Sequence, residues 1–230
     1  MIKYLGSKRT LVPVLNKLAL ASGAKTALDL FTGTTRVARG FKEHGLYVTA
    51  VDTASYSHVF AKTWIELDAR ASNNRELDEA LGYLSSLKPE AGYFTQTFCL
   101  DARYFQPQNG ERVDAMRNAI ESSYKDSWLY EPLLAALILA ADRVDSTTGI
   151  QMAYLKQWAR RSSNALELQN PGLLPGEGRA ILGDALDVVK EIEPVDLAYL
   201  DPPYNQHRYF ANYHIWETLV RWDAPETYGI

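Results

Sequence analysis

Asp201-Pro202-Pro203-Tyr204 follows the apolar run Val195 to Leu200 and sets a carboxylate, two rigid rings and an aromatic side chain at what reads as the end of a strand. Proline fixes φ and carries no backbone N–H, and it drives the residue before it toward extended conformations. Asp201 is therefore held extended, and the carbonyls around the prolines are free to accept hydrogen bonds from a ligand. The chemistry on offer is hydrogen-bond acceptance beside an aromatic face. A Pro-Pro stop before a loop is the plainer reading, so the rest of the chain decides.

A second candidate lies near the amino terminus. Thr26 to Phe31 reads as a short buried strand, Thr32-Gly33-Thr34-Thr35 as a tight turn, Arg36 to His44 as a helix stopped by Gly45, and Tyr47 to Val51 as a strand ending at Asp52. This is a β-α-β unit, with parallel strands and a right-handed crossover. A glycine after the first strand lets backbone approach a ligand, and a carboxylate about 20 residues on can accept from ribose hydroxyls. The pattern G-x-G-x-x-G is absent, so a nucleoside-bearing ligand without pyrophosphate fits better than a dinucleotide. An ordinary β-α turn with a surface Asp competes with that reading.

The elements around these residues read as an α/β fold. Leu11 to Leu20 has helical spacing, with Pro13 near the first turn where proline is tolerated, and Ser55 to Asp68 and Arg75 to Leu87 follow as helices. From Tyr93 to about Gly178 no strand pair is evident; helices are expected at Arg112 to Ser122, Ser127 to Val144 and Gln151 to Arg161, then a Pro/Gly-rich linker, Asn170 to Gly178. Leu133 to Ala141 is apolar all round, which predicts a buried helix. The α/β pattern resumes with a strand at Arg179 to Gly183, a helix at Ala185 to Ile192 and the strand Val195 to Leu200, before a last helix at Tyr213 to Trp222. Residues 1–70 and 179–230 are expected to form the α/β core and residues 71–178 a mostly helical insertion. Strand ends at Asp29, Asp52, Asp184 and Asp201 would line one edge of a parallel sheet, where ligands bind.

Composition narrows the class. With 47% hydrophobic and 23% charged residues among 230, the chain reads as soluble and globular. A formal charge of −4 argues against a protein that coats nucleic acid generally, although Lys3, Lys8, Arg9, Lys17 and Lys25 all precede the first acidic residue, Asp29. Cys99 is the single cysteine, so neither an intrachain disulfide nor a cysteine-built metal site is expected. No run reaches the ~18 apolar residues of a membrane span, and no signal core is evident, so a cytoplasmic protein with no membrane contact is expected.

Lys3-Tyr4-x-Gly6-x-Lys8, Asp29-Leu30-Phe31-Thr32-Gly33-Thr34, Asp52, Gly183-Asp184-Ala185 and Asp201-Pro202-Pro203-Tyr204 together resemble the D12 (Dam-like) class of DNA adenine methyltransferases, in that family's order and across almost the whole chain. The resemblance implies a Rossmann-like methyltransferase sheet, S-adenosylmethionine as cofactor, no metal, and N6-methyladenine in double-stranded DNA as product, with a restriction endonuclease as a companion. It implies that Tyr4 and Lys8 contact the methionine end of the cofactor, that Asp29 and Phe31, Thr32, Gly33 and Thr34 line its bed, that Asp52 holds the ribose and that Asp184 faces the cofactor adenine. Asp201 would lie between cofactor and target. The family's sheet has seven strands and only four are read here, so a truncated chain or a split enzyme completed by a second chain is expected.

An exocyclic adenine amine is a poor nucleophile because its lone pair is delocalised into the ring. By the resemblance, Asp201 and the Pro202 carbonyl each accept one N6 hydrogen bond and aim that pair at the methyl group, while Tyr204 stacks on a flipped base. Tyr209, Tyr213 and His214 are candidates to pack near that base, and Arg112, Arg117, Lys156, Arg160 and Arg161 in the insertion are candidates for DNA contact. A ribosomal RNA base methyltransferase and a cofactor-binding subunit inactive without a partner are the alternatives.

Overall fold

Four parallel strands form a sheet in the order β3-β2-β1-β4. The computed structural model describes residues 2–203 and 209–226, and the chain divides into two compact units. One, which holds the sheet, comprises Leu5–Asn74 and Gly172–His207; the other, mostly helical, comprises Met1–Tyr4, Arg75–Pro171 and Arg208–Ile230.

The sheet unit starts with α1 (Val12–Ser22), which has proline in its first turn and ends at Gly23 with φ of 74°. Strand β1 (Thr26–Asp29), helix α2 (Arg36–Glu43) and strand β2 (Tyr47–Asp52) follow, and β1 pairs with β2 in parallel, as the β-α-β reading expects. Gly40 lets α1 approach α2, because a Cβ there would meet Asn16 Oδ1 at 2.6 Å and Val12 Cγ1 at 2.9 Å. The predicted helix from Ser55 to Asp68 is α-helical only as α3 (Ser55–Ala61) and widens to a π-turn at Lys62–Glu66. Lys42, buried on α2, caps that turn: its Nζ donates to the Ile65 and Leu67 carbonyls at 2.8 and 2.7 Å.

The helical unit holds α4 (Asn74–Ser86), the short α5 (Tyr93–Thr95), α6 (Pro107–Tyr124) and α7 (Tyr130–Val144). The α7 run Leu133 to Ile138 is fully buried, as its all-round apolarity requires. The helix expected over Gln151 to Arg161 is absent. Tertiary hydrogen bonds take its backbone donors instead: the Gln151 amide reaches the Asn212 carbonyl, the Leu155 amide the Ser146 carbonyl, and the Ala159 amide the Ser146 hydroxyl. Only a 3₁₀ turn at Arg160–Ser163 remains.

The sheet unit then resumes with β3 (Gly178–Leu182), α8 (Ala185–Val188) and β4 (Leu197–Tyr199). Helix α8 is shorter than the stretch to Ile192 that the sequence suggests, because Lys190 and Glu191 donate three residues back rather than four. Among the described residues β4 pairs with β1 alone. Leu28, Leu30 and Val51 are buried together, with Phe31, Ile181, Val188 and Val195 packed against them.

Helices α9 (Tyr209–Asn212) and α10 (His214–Arg221) belong to the helical unit and not to the sheet. Ile215, Trp216 and Leu219 of α10 are buried there, and Arg117 of α6 donates to the Leu219 and Val220 carbonyls at 2.7 and 2.9 Å. No helix among the described residues is long and apolar enough to cross a membrane.

Candidate active site

Parallel strands bring their carboxyl ends to one edge, and the order reverses between β1 and β4, which is where a ligand crevice opens in such sheets. Asp29 closes β1, Asp52 closes β2, Asp184 follows β3 and Asp201 follows β4. The Leu30 amide reaches the Tyr199 carbonyl and the Thr32 amide the Val51 carbonyl, so the turn after β1 is tied to both neighbouring strands.

That turn is strained. Gly33 has φ of 50° and Thr35, a β-branched residue, φ of 60°, a region costly for any side chain branched at Cβ and often held at functional sites. The Gly33 amide donates to Asp52 Oδ2 at 2.8 Å, and the Ala54 amide to Asp52 Oδ1 at 3.0 Å. Asp52 is thereby locked to the turn on one side and to the start of α3 on the other.

Asp29 is 1% exposed. Its Oδ2 accepts from the Thr32 hydroxyl at 3.1 Å and the Ala38 amide at 3.2 Å, while Oδ1 is buried with no hydrogen-bond partner among the described residues. Burial pushes this carboxyl up to about 7 against the pull of those two bonds, with the charges of Asp52 and Asp201 adding to the rise. A buried acceptor without a donor is costly, and a cationic or N–H donor brought by a ligand would satisfy it.

Asp201 lies two residues beyond β4 and is half-buried, with Oδ2 2.6 Å from Lys8 Nζ. The resemblance assigns Lys8 to the methionine end of the cofactor; here its partner is the Asp201 carboxylate. Asp184 caps α8, its Oδ1 accepting from the Leu186 amide at 2.8 Å. Thr32 and Thr34 are buried in the turn, and Phe31 packs half-buried on the sheet core. Pro202 and Pro203 are exposed, and Tyr204 lies outside the described residues.

The remaining candidates are in the helical unit. Tyr4 stacks on Tyr213 with ring centroids 4.8 Å apart, and Tyr213 is buried. Tyr209 opens α9. His214 is half-buried between Phe98 and Tyr104, its ionisation lowered by that burial.

Arg117 corrects a reading. It is fully buried, with Nε on the Leu219 carbonyl, Nη1 on Glu121 and Nη2 on the Tyr130 hydroxyl and Val220 carbonyl. Its donors are spent inside the unit, so it does not face DNA. Arg161 is partly spent, on Asp145 and the Thr147 carbonyl. Arg112 reaches the Ser85 carbonyl at 3.4 Å, and Lys156 and Arg160 are exposed.

Comparison with known proteins gives this edge its context. The sequence model of the D12 class N6 adenine-specific DNA methyltransferases matches residues 4–230. The chain belongs to that family. Modification methylase StsI of Streptococcus sanguinis is 32% identical over the whole chain, which spans 38% of that protein's length. Type II methyltransferase M.NlaIII of Neisseria lactamica is 33% identical over 96% of the chain, and 70% of its own length is covered. No solved structure matches. Nothing in these comparisons supports the second chain that the strand count suggests.

Within this D12 chain, two features of the sheet unit were missed from sequence. Lys42 lies four residues after Ala38 and next to Phe41, on the face α2 buries, so helical spacing carried that signal. The orphaned Asp29 oxygen had no signal, because pairing depends on where the α2 backbone falls.

Proposed function

We propose that the chain is a site-specific DNA methyltransferase that transfers a methyl group from S-adenosylmethionine to adenine N6 in double-stranded DNA. Family membership supports the reaction class, and the observation that carries the reading is the acidic edge where Asp201 sits beside the strand that ends at Asp29. The strand order, reversing between β1 and β4, suits a Rossmann-like methyltransferase sheet. The donor set fits the cofactor: the unpartnered Asp29 Oδ1 suits its ammonium, Asp52 its ribose hydroxyls, and the turn Phe31 to Thr34 its methionine portion, with Asp184 toward its adenine. When bound, the cofactor supplies an electrophilic methyl group.

The chain's own residues do the rest. Asp201 and the Pro202 carbonyl accept the two N6 hydrogens of the target base, which localises the nitrogen lone pair. Lys8 fixes the carboxylate through Oδ2, leaving Oδ1 for the amine. The charge-assisted bond to Asp201 is the stronger of the two, and the prolines hold both acceptors in place, a positioning contribution. The base leaves the duplex to be reached, at about a few kcal/mol, and stacking on Tyr204 at ~1–3 kcal/mol offsets much of that. The type II and modification names of the relatives suggest a restriction endonuclease as companion, and the cytoplasm as setting.

The test is transfer of labelled methyl from S-adenosylmethionine to unmodified duplex DNA, with RNA in parallel and product digestion to identify N6-methyladenine. Asp201→Ala should lower transfer at least ~1,000-fold, the scale of losing an oriented charge-bearing partner, with unchanged thermal unfolding. Label in RNA alone, or near-wild-type transfer by Asp201→Ala, would sink the reading.

A further inference from the structure

Arg36 is the first residue of α2, immediately behind the strained turn, and its Nε is buried without a hydrogen-bond partner among the described residues. Arg9 sits in the lead-in to α1, one residue from the lysine that holds Asp201, and is exposed. The Leu11 and Val12 amides both donate to the Lys8 carbonyl, which folds this lead-in back on itself, and Val12 and Asn16 pack closely on Gly40, one helical turn along α2 from Arg36.

Nearby cations of the sheet unit are engaged. Lys8 is on Asp201, Arg39 lies 4.5 Å from the centroid of the Trp64 ring, and Lys42 holds two carbonyls. Among the described residues, Arg9 and Arg36 form neither an ion pair nor a hydrogen bond through their side chains. They are also close enough to oppose one another: burial first, then the charge of Arg9, lowers the ionisation of Arg36. Two guanidiniums held together without a counter-ion are destabilising in a way that an anion between them relieves.

We propose that Arg9 and Arg36 form an anion site that grips a backbone phosphate of the DNA duplex. The inference rests on the proposed DNA substrate. A guanidinium fork matches phosphate oxygens in pairs, and such contacts set register and are independent of sequence. The cofactor's carboxylate offers similar chemistry, but Arg9 faces solvent, where a polyanion arrives. Lys8, the neighbour that the family resemblance gives to the cofactor, is here engaged by Asp201.

Because the contact is independent of sequence, a 30-base-pair duplex of arbitrary sequence is a sufficient probe. The full chain and its Arg9→Ala/Arg36→Ala variant are titrated with it from 50 to 200 mM salt, alongside the Arg9→Lys/Arg36→Lys variant and calorimetric binding of S-adenosylhomocysteine. Two lost phosphate contacts lower the slope of log affinity against log salt by about 1.8, so the variant's affinity falls about tenfold less across that range. The lysine variant keeps most of the slope, and S-adenosylhomocysteine binding stays within about twofold in both variants. An unchanged slope in the alanine variant overturns the site. Loss of S-adenosylhomocysteine affinity with the slope retained overturns it too, by assigning the anion to the cofactor. Failure of the wild-type chain to bind duplex at any salt defeats the DNA reading itself, and this contact with it.

Discussion

Two buried aspartates, one in each unit, differ in how fully the fold satisfies them, and the cofactor role proposed for Asp29 rests on that difference. Asp114 in the helical unit and Asp29 in the sheet unit are each 1% exposed. Asp114 accepts from the Gly92, Phe94 and Thr95 amides and from the Thr95 hydroxyl, at 2.6 to 3.0 Å, using both oxygens. Asp29 accepts two bonds through Oδ2 and none through Oδ1. Asp114 organises the amino-terminal turn of α5, where orphaned amides need an acceptor. Asp29 has a free acceptor at the edge where Asp52 closes β2 and Asp184 and Asp201 follow β3 and β4. Equal burial therefore says little about role; the unfilled lone pairs carry the difference.

The sharpest way to break the comparison is to remove the acid on the satisfied side. Asp114→Ala leaves the buried Phe94 and Thr95 amides, and the Gly92 amide beside them, without an acceptor and should cost about 3–5 kcal/mol of unfolding free energy, read by urea denaturation. A loss below 1 kcal/mol would mean that the bond count does not measure structural role here. Arg117→Met extends the test to a cation. It strands the Leu219 and Val220 carbonyls and should cost about 2–4 kcal/mol, while the salt dependence of duplex binding stays at the wild-type value. A shallower salt slope would return Arg117 to the DNA contacts.

How much of this was legible follows the same division. The strand ends could be read because they depend on local patterns: an apolar run, then an acid, with glycine or proline behind it. Asp52 and the turn are close in sequence, 19 residues from Gly33. Arg117 was misread because its partners, Leu219 and Val220, are 102 and 103 residues away, and a helix pattern with an arginine looks the same buried or exposed. Gln151 to Arg161 was misread for a related reason. Its helical composition is a weak local preference, overridden when Ser146 and Asn212 take its backbone partners. In the site, the identity of the acids was legible and their occupancy was not, since Lys8 meets Asp201 across 193 positions of chain that only folding closes.

The smallest effect is the most informative, because its sign is opposite. With the Asp29 carboxyl raised from 3.8 in its ordinary state to about 7 in the fold, the folded chain holds the proton more tightly than the unfolded chain does. Stability from this group is full below about 4, falls as pH rises from there to about 7, and stays low above it. Asp29→Asn removes that slope. The amide oxygen can keep the Thr32 and Ala38 bonds, while its nitrogen faces the unpartnered side, which offsets part of the gain. The variant without cofactor should therefore be more stable than wild type by about 1–2 kcal/mol at pH 8, and no more stable at pH 4, in parallel denaturation series. Binding of S-adenosylhomocysteine, which keeps the ammonium, should weaken more than tenfold, because an amide N–H cannot replace a carboxylate facing a cation. If Asp29→Asn instead loses stability at pH 8 and binds S-adenosylhomocysteine normally, Asp29 is a second Asp114, and the unfilled oxygen carries no function.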